Sequence, residues 1–371
     1  MKSKMLIVIV LAVGSALLPI GSAPPASAAL TYTQVSSGGE HACALVSGGV
    51  AQCWGENYFG ALGNGTKRDS SVPVTVRGIA DATQISSGYY HTCALLPGGA
   101  VKCWGLNGEG ELGDGTTEDS KVPVDVSGIT GATRISADGG WHTCALLPGG
   151  AVKCWGNNDY GQLGNGSWAS SSVPVDVSAI ADATQVSVGG RHTCALVSGG
   201  AVKCWGHNGS GELGDGTWTD SSTPVRASGI TGATQISAGV AHTCALVSGS
   251  DVTCWGLNRR GQLGNGTTTD SSIPVDVVAG TALSISAPAL GILGTKARII
   301  GALSSLDPAC VSSQQVTLEK DGSKAAIATT DATGAYRFVL KIAGKTVVRV
   351  AYVGNASCGP SASVKKTIRV N

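Results

Sequence analysis

His91-Thr92-Cys93-Ala94-Leu95-Leu96 and Ala100-Val101-Lys102-Cys103-Trp104-Gly105 are two β-rich runs separated by Pro97-Gly98-Gly99. A three-residue, Gly-containing link between such runs predicts a β-hairpin. With residues 97–99 as the loop, Leu96 faces Ala100, Leu95 faces Val101 and Cys93 faces Cys103. Directly opposed residues of an antiparallel pair have Cα atoms about 4.5–5.5 Å apart, within the span of a disulfide. A cross-strand disulfide is the expectation. A metal site built on His91, Cys93 and Cys103 is the other reading, and it needs further convergent ligands that the stretch does not obviously supply.

Outward from the hairpin, Ala82-Thr83-Gln84-Ile85-Ser86 reads as a strand before it and Val122-Pro123-Val124-Asp125-Val126 as a strand after it. Pro123 lacks an N–H and so suits a sheet edge or a strand start. Between them a Gly/Asn-rich loop, Leu106 to Thr116, carries Gly110-Glu111-Leu112-Gly113-Asp114-Gly115, whose Asp-Gly pair supplies positive φ for a turn.

This unit recurs. Cys43, Cys93, Cys144, Cys194 and Cys244 are each followed ten residues later by Cys53, Cys103, Cys154, Cys204 or Cys254, and then by Trp-Gly. Five copies of about 50 residues span Thr31 to Gly280. Four short strands per copy with no amphipathic helix is the pattern of β-propeller blades. One disulfide per blade is expected, each worth roughly 2–3 kcal/mol if chain entropy sets its contribution.

The copies resemble regulator-of-chromosome-condensation (RCC) repeats. The residues that carry the resemblance are Ser87-Gly88-Tyr89-Tyr90-His91 with Ala94-Leu95, then Trp104-Gly105-Leu106-Asn107, Gly161-Gln162-Leu163-Gly164-Asn165-Gly166, and Val173-Pro174-Val175-Asp176-Val177. The resemblance covers about two thirds of the chain and implies a propeller, in this family usually of seven blades. Five copies depart from that number, which leaves a five-bladed ring and an open or partner-completed arc as alternatives. Secreted propellers of this family that inhibit β-lactamases offer an analogy for protein capture outside the cell. Nucleotide exchange on a nuclear GTPase does not suit an exported chain.

Export is expected from residues 1–29. Lys2 and Lys4 precede an apolar run from Met5 to Ile20 and the small residues Ala26-Ser27-Ala28, the pattern of a secretory signal peptide. A membrane anchor is the competing reading, but the run is short of the roughly 20 residues a spanning helix needs, and Pro24-Pro25 would break a helix continuing beyond it. Twelve cysteines that all occur in pairs agree with an oxidising compartment. The expected product is secreted, outside the cytoplasm, not membrane-spanning, and in one variant of this reading associated with the cell wall.

The chain thus divides into the signal peptide, a propeller over residues 30–281 and a C-terminal module over residues 282–371. Runs such as Ala335-Tyr336-Arg337-Phe338-Val339-Leu340 and Thr346-Val347-Val348-Arg349-Val350-Ala351-Tyr352 read as strands, with Cys310 and Cys358 available for a sixth disulfide. This module resembles the Ig-like β-sandwiches appended to bacterial secreted proteins, so the whole chain is expected to be all-β. Charge differs between the two parts. From Ala29 to Thr281 there are 12 Lys and Arg against 20 Asp and Glu, a balance of −8, and from Ala282 onward 11 against 4, a balance of +7. The near-neutral total and the acidic propeller argue against nucleic-acid binding. The basic module is either a solvated surface or a contact for anionic cell-wall polymer.

No residue set for catalysis stands out. His41, His91, His142, His192 and His242 occupy one repeat position, whereas catalysis occupies one site rather than five; they read as structural. His207, in the following loop, has no placed partner in the sequence. No phosphate loop, zinc-protease pair or nucleophile elbow occurs in a convincing context. The acidic residues from Asp114 to Asp119 could hold Ca²⁺, although their spacing matches no Ca²⁺ loop; no cofactor is expected. The chain is therefore expected not to be an enzyme.

What varies between copies is more informative. Before the repeated His stand Gly39-Glu40, Tyr89-Tyr90, Gly140-Trp141, Gly190-Arg191 and Val240-Ala241. Before the Gly-x-Leu-Gly motif stand Tyr58-Phe59, Gly108-Glu109, Asp159-Tyr160, Gly209-Ser210 and Arg259-Arg260. Trp168 and Trp218 replace Lys67 and Thr117 past the Asn/Asp-Gly turn. Tyr, Trp and Arg dominate binding hot spots, and variable loops on a fixed frame carry recognition. The expectation is a binding face for an extracellular protein partner, made from these residues if both loop sets open on one rim. Carbohydrate or cell-wall binding through the same aromatics is the alternative.

Overall fold

The computed structural model describes residues 31–247 and 251–278, the strands between Thr281 and Val370, and Thr330. The signal peptide expected over residues 1–29 and the Cys310–Cys358 pair lie outside the described residues. Five four-stranded antiparallel sheets follow one another, each a meander in chain order. The first comprises β1 (Tyr32–Ser37), β2 (His41–Val46), β3 (Val50–Gly55) and β4 (Ser70–Thr75); the second β5 (Gln84–Ser87), β6 (His91–Leu95), β7 (Val101–Gly105) and β8 (Ser120–Asp125). The third comprises β9 (Arg134–Ser136), β10 (His142–Leu146), β11 (Val152–Gly156) and β12 (Ser171–Asp176). The fourth comprises β13 (Ala183–Val188), β14 (His192–Val197), β15 (Ala201–Gly206) and β16 (Ser221–Arg226); the fifth β17 (Ala233–Ala238), β18 (His242–Val247), β19 (Val252–Gly256) and β20 (Ser271–Asp276).

The hairpin register is the expected one. Cys93 pairs with Cys103 and Leu95 with Val101 across a single 3₁₀ turn at Pro97–Gly99. All five cysteine pairs are bonded, with Cα atoms 4.0–4.1 Å apart, nearer than the expected spacing because the bridge draws the strands together. Two strand limits differ from the sequence reading. β5 begins at Gln84, which pairs with Leu95, while the Ala82 N–H goes to the Gly49 carbonyl of the first sheet's turn. β8 begins at Ser120, which pairs with Gly105 across a bulge. Pro123 sits on the outer edge strand, where its missing N–H costs no ladder bond.

The core lies between the blades. Cys93, Leu95, Val101, Cys103, Leu112, Val126 and Ile129 of the second blade pack with Ala132, Ile135, Ala145 and Trp155 of the third, and the other junctions repeat the scheme. The Trp-Gly tryptophans of the second to fifth blades are fully buried, and each indole donates to the preceding blade: Trp104 to the Ala61 carbonyl at 2.8 Å, Trp155 to Glu111 at 2.9 Å, Trp205 to Gln162 and Trp255 to Glu212 at 2.8 Å. The Gly-x-Leu-Gly motif makes room for it. A Cβ on Gly113, whose φ is +66°, would stand 2.8 Å from the Trp155 ring.

A second bond runs the same way. The Thr92, Thr193 and Thr243 hydroxyls donate to carbonyls of the preceding blade, so each accepts the Nε2–H of that blade's histidine, His41, His142 or His192, at 2.6–2.9 Å. Burial pushes His41 and His192 down to about 4 and His91 and His142 to about 3, so these rings are neutral at ordinary pH.

The ladder does not pass from the fifth blade to the first. Ala42 stands where the other blades have Thr, and Trp54 is partly exposed, its indole N–H without a hydrogen bond among the described residues. His242 is half-buried, Val35 is 67% exposed where its counterpart Ile85 is buried, and Val252 is 38% exposed where Val202 is buried. The described blades form an open series, one of the two alternatives the repeat count allows.

Beyond the blades, β21 (Thr281–Leu283), β23 (Lys296–Ser305) and β26 (Ala335–Lys341) form one sheet. A second sheet has the order β22 (Leu290–Gly291), β28 (Ser361–Val370), β27 (Thr346–Tyr352), β24 (Gln315–Lys320), β25 (Ser323–Thr329).

Candidate functional site: an aromatic rim and two clefts

The two variable loop sets meet on one rim. Phe59, from the loop after β3, lies 5.1 Å between ring centroids from Tyr90, which precedes β6. Tyr58 packs edge-on against Phe59 at 4.8 Å, and Tyr90 edge-on against Tyr89 at 4.7 Å. Tyr89 then stacks on Trp141, which precedes β10, at 4.7 Å and 13° between planes. Five rings from three blades are therefore contiguous. Stacked and edge-to-face pairs of this kind hold one another in place beyond their burial. Tyr58 remains 67% exposed, and Phe59, Tyr89, Tyr90 and Trp141 are half-buried.

The same junction of loop sets recurs further along. Arg191, before β14, places its guanidinium 5.0 Å from the centroid of Tyr160, and His207, in the loop after β15, lies edge-on to Tyr160 at 4.9 Å. Two clefts open beside these residues. One, of about 360 Å³, is lined by Leu106, Gly108, Glu109, Glu111, Trp141, Asn157, Asp159, Tyr160 and Arg191. The other, of about 400 Å³, is lined by residues including Tyr89, Trp141, Arg191, His192, His207, Glu212 and Val240.

Each cleft contains a buried carboxylate that the sequence reading did not single out. Glu111 is 1% exposed, and its Oε2 accepts the Glu109 N–H at 2.9 Å. Burial, with a smaller contribution from Glu109 and Asp119, pushes its carboxyl up to about 7. Glu212 is equally buried, but its Oε1 pairs with His207 Nδ1 at 3.0 Å. Burial alone pushes Glu212 up; the His207 and backbone hydrogen bonds outweigh it and hold the carboxyl below its ordinary value. His207 is raised in turn by that bond, so it has a partner the sequence did not place. The signal was the residue before Leu in Gly-x-Leu-Gly, which runs Ala61, Glu111, Gln162, Glu212, Gln262.

Not every candidate residue joins the rim. Trp168 and Trp218 are 50% and 51% exposed and make no ring contact among the described residues. Arg259 pairs with Asp270 at 3.7 Å, and exposed Arg260 uses its backbone N–H on Gln262. In the acidic loop, Asp114 Oδ1 accepts the Thr116 N–H and hydroxyl, and Asp119 Oδ1 accepts the Asn107 N–H. Among the described residues no three His, Cys, Asp or Glu side chains converge as metal ligands, and no helix is long and apolar enough to cross a membrane.

Comparison with known proteins places this geometry. The RCC1-like domain matches residues 18–291. The mitochondrial RCC1 domain-containing protein RUG3 of Arabidopsis thaliana is 44% identical over 46 residues, 12% of this chain and 10% of that protein; the chain thus spans about a tenth of that relative's length. Human WBSCR16 superposes with a TM-score of 0.60 at 24% identity, covering 67% of each chain. Prp20p of Saccharomyces cerevisiae does so with a TM-score of 0.59 at 20% identity, covering 66% of this chain and 63% of its own. These two show a shared fold. With its bonded hairpins, blade-to-blade tryptophans and a domain match over well more than half its length, the chain belongs to the RCC1-like domain family.

Proposed function

We propose that the chain is a secreted, non-catalytic protein-binding scaffold whose recognition face is the aromatic rim. The observation that carries this reading is the run Tyr58–Phe59–Tyr90–Tyr89–Trp141. Five rings with neighbouring centroids 4.7–5.1 Å apart stand partly exposed on loops that the blade cores fix. Large rigid aromatics on a fixed frame lose little entropy on binding and make effective anchors. The yeast relative Prp20p, with binding properties toward Gsp1p and histones, supports protein capture as a use of this fold. The N-terminal pattern and the five disulfides support an oxidising location, and an Ig-like module over residues 282–371 would act as a spacer.

The test is capture of extracellular proteins of the producing cell by residues 30–371, at low and high salt. A stoichiometric partner retained at high salt and lost when Tyr89, Tyr90 and Trp141 are all changed to Ala supports the reading. A second reading, cell-wall association, is favoured by the 11 basic against 4 acidic residues from Ala282 onward. It predicts retention on purified walls, abolished by salt or by removal of residues 282–371, and that result without protein capture overturns the first.

A further inference from the structure

We propose that the cleft between the second and third blades is a receptor for one basic side chain of the protein partner, a lysine ammonium or arginine guanidinium, held against Trp141 and Tyr160 with its charge on Glu111. The proposal rests on the protein-binding reading and names the chemistry the partner must bring.

The cleft holds a carboxylate without a counterpart. Glu111 is 1% exposed yet lines the cleft. Its carboxylate is met by backbone N–H groups, those of Glu109 and of Glu111 itself; no side chain among the described residues hydrogen-bonds or ion-pairs with it. In the third and fourth blades the equivalent side chain has a side-chain partner. Gln162 donates to Asn157, and Glu212 pairs with His207. The residue that would do this for Glu111 is Leu106, which occupies the position of Asn157 and His207 and has no polar group.

A buried carboxylate lacking its partner is costly, and a cation brought to it offsets that cost. The cleft is built to take one. Glu109 and Asp159 add acidic groups to its lining, and Asp119 adds to the negative field around Glu111. Trp141 and Tyr160 supply aromatic surface, whose faces attract cations. Its volume of about 360 Å³ is at the small end of ligand pockets, suited to a single side chain. Arg191 is the cation of this chain at the cleft. Its guanidinium is engaged with Tyr160, over the ring and with Nη1 3.4 Å from the hydroxyl, and it forms no ion pair with Glu111. The neighbouring cleft makes the contrast, since there His207 already occupies the carboxylate.

The test monitors the Trp141 indole ¹⁵N–H signal, assigned with Trp141→Phe, as the chain is titrated at pH 8 with Nα-acetyl-lysine amide, its arginine counterpart and the uncharged isostere Nα-acetyl-norleucine amide. Lysine and arginine amides shift the signal and norleucine amide does not. Glu111→Gln weakens the lysine shift by about tenfold or more, as loss of a charge-assisted bond requires. Leu106→His, which reproduces the pairing of the fourth blade, does the same. Gln stands at this position in the third blade, so Glu111→Gln keeps the fold. Equal binding of norleucine amide, or unchanged binding to both variants, overturns the proposal. The partner experiment separates the two readings. A captured protein whose affinity is unchanged by Glu111→Gln and Leu106→His overturns the basic-side-chain site and leaves the rim reading standing. Probe binding by a chain that captures no protein overturns the rim reading, and with it the claim that the cation is carried by a protein.

Discussion

The four interior junctions and the two outermost blade faces are built from the same repeat, yet only the junctions are finished. At the junction of the third and fourth blades, His142 reaches Thr193 at 2.6 Å, Trp205 reaches the Gln162 carbonyl at 2.8 Å, and both rings are fully buried. At the ends, His242 is half-buried, Trp54 is partly exposed, and Ala42 stands where a threonine would receive a histidine from the blade before. Gly264 tells the same story, because a Cβ there would meet Val277 rather than the tryptophan of a following blade. A repeated residue therefore has no fixed energetic value; its neighbouring blade supplies it, as expected where stability is a sum of nearest-neighbour terms.

Acidification should expose this difference most strongly. His41, His91, His142 and His192 have folded-state values of about 3–4, below the unfolded 6.5. The unfolded chain therefore takes up protons first as pH falls. The stability these rings contribute is complete above pH 6.5 and is lost from there down to about pH 4 for His41 and His192 and about pH 3 for His91 and His142, at no more than about 1.4 kcal/mol per pH unit for each ring. Urea unfolding with the disulfides intact should show the midpoint dropping steeply over that window. His192→Gln should shallow the slope by close to one proton, and His242→Gln by clearly less. Equal slopes for the two variants would break the comparison.

Removing a tryptophan should come next. Trp155→Ala should cost about 3–5 kcal/mol, the range for a fully buried large aromatic, whereas Trp54→Ala should cost less than half of that. Matched losses in denaturant midpoint would mean that something covers the first blade in solution. Thr193→Val should be smaller again, about 1–3 kcal/mol, because it leaves the His142 Nε2–H buried without an acceptor; Ala42→Thr should change stability by less than about 0.5 kcal/mol. The smallest effect sharpens the comparison between the two clefts. A carboxyl raised to about 7 in the folded chain contributes stability below its unfolded value near 4.5 that is lost as pH rises through 7. Glu111→Gln should therefore stabilise the chain at pH 8 by about 1–2 kcal/mol and make little difference at pH 4.5, while Glu212→Gln, which breaks a formed pair, should destabilise it at pH 8.

The hairpins were legible in the sequence because loop length and strand pairing are local: Pro97-Gly98-Gly99 alone sets Cys93 against Cys103. The blade order was legible because the copies repeat. The contacts that join the copies were not. His41 and Thr92 are 51 residues apart and His91 and Thr143 are 52 apart, and each pair is repeated so faithfully that the letters do not say which copy touches which. On the rim, the aromatic letters were visible, and so was the idea that two loop sets share a face. The particular meetings, Phe59 with Tyr90 and Arg191 with Tyr160, depend on the lateral packing of blades. Glu111 was hidden because it sits inside a turn motif, and only burial distinguishes it from a solvated glutamate.

The most direct test of the rim as a recognition face is the affinity of the captured partner, measured by calorimetry at high salt for the wild-type chain, for the Tyr89→Ala, Tyr90→Ala, Trp141→Ala triple variant, and for the Trp168→Ala, Trp218→Ala double variant. Recognition through the rim predicts that the triple variant, still folded and disulfide-bonded, binds at least about 100-fold more weakly, since hot-spot aromatics are each worth about 2 kcal/mol or more, while the double variant binds as the wild type does. A triple variant of unchanged affinity would contradict it.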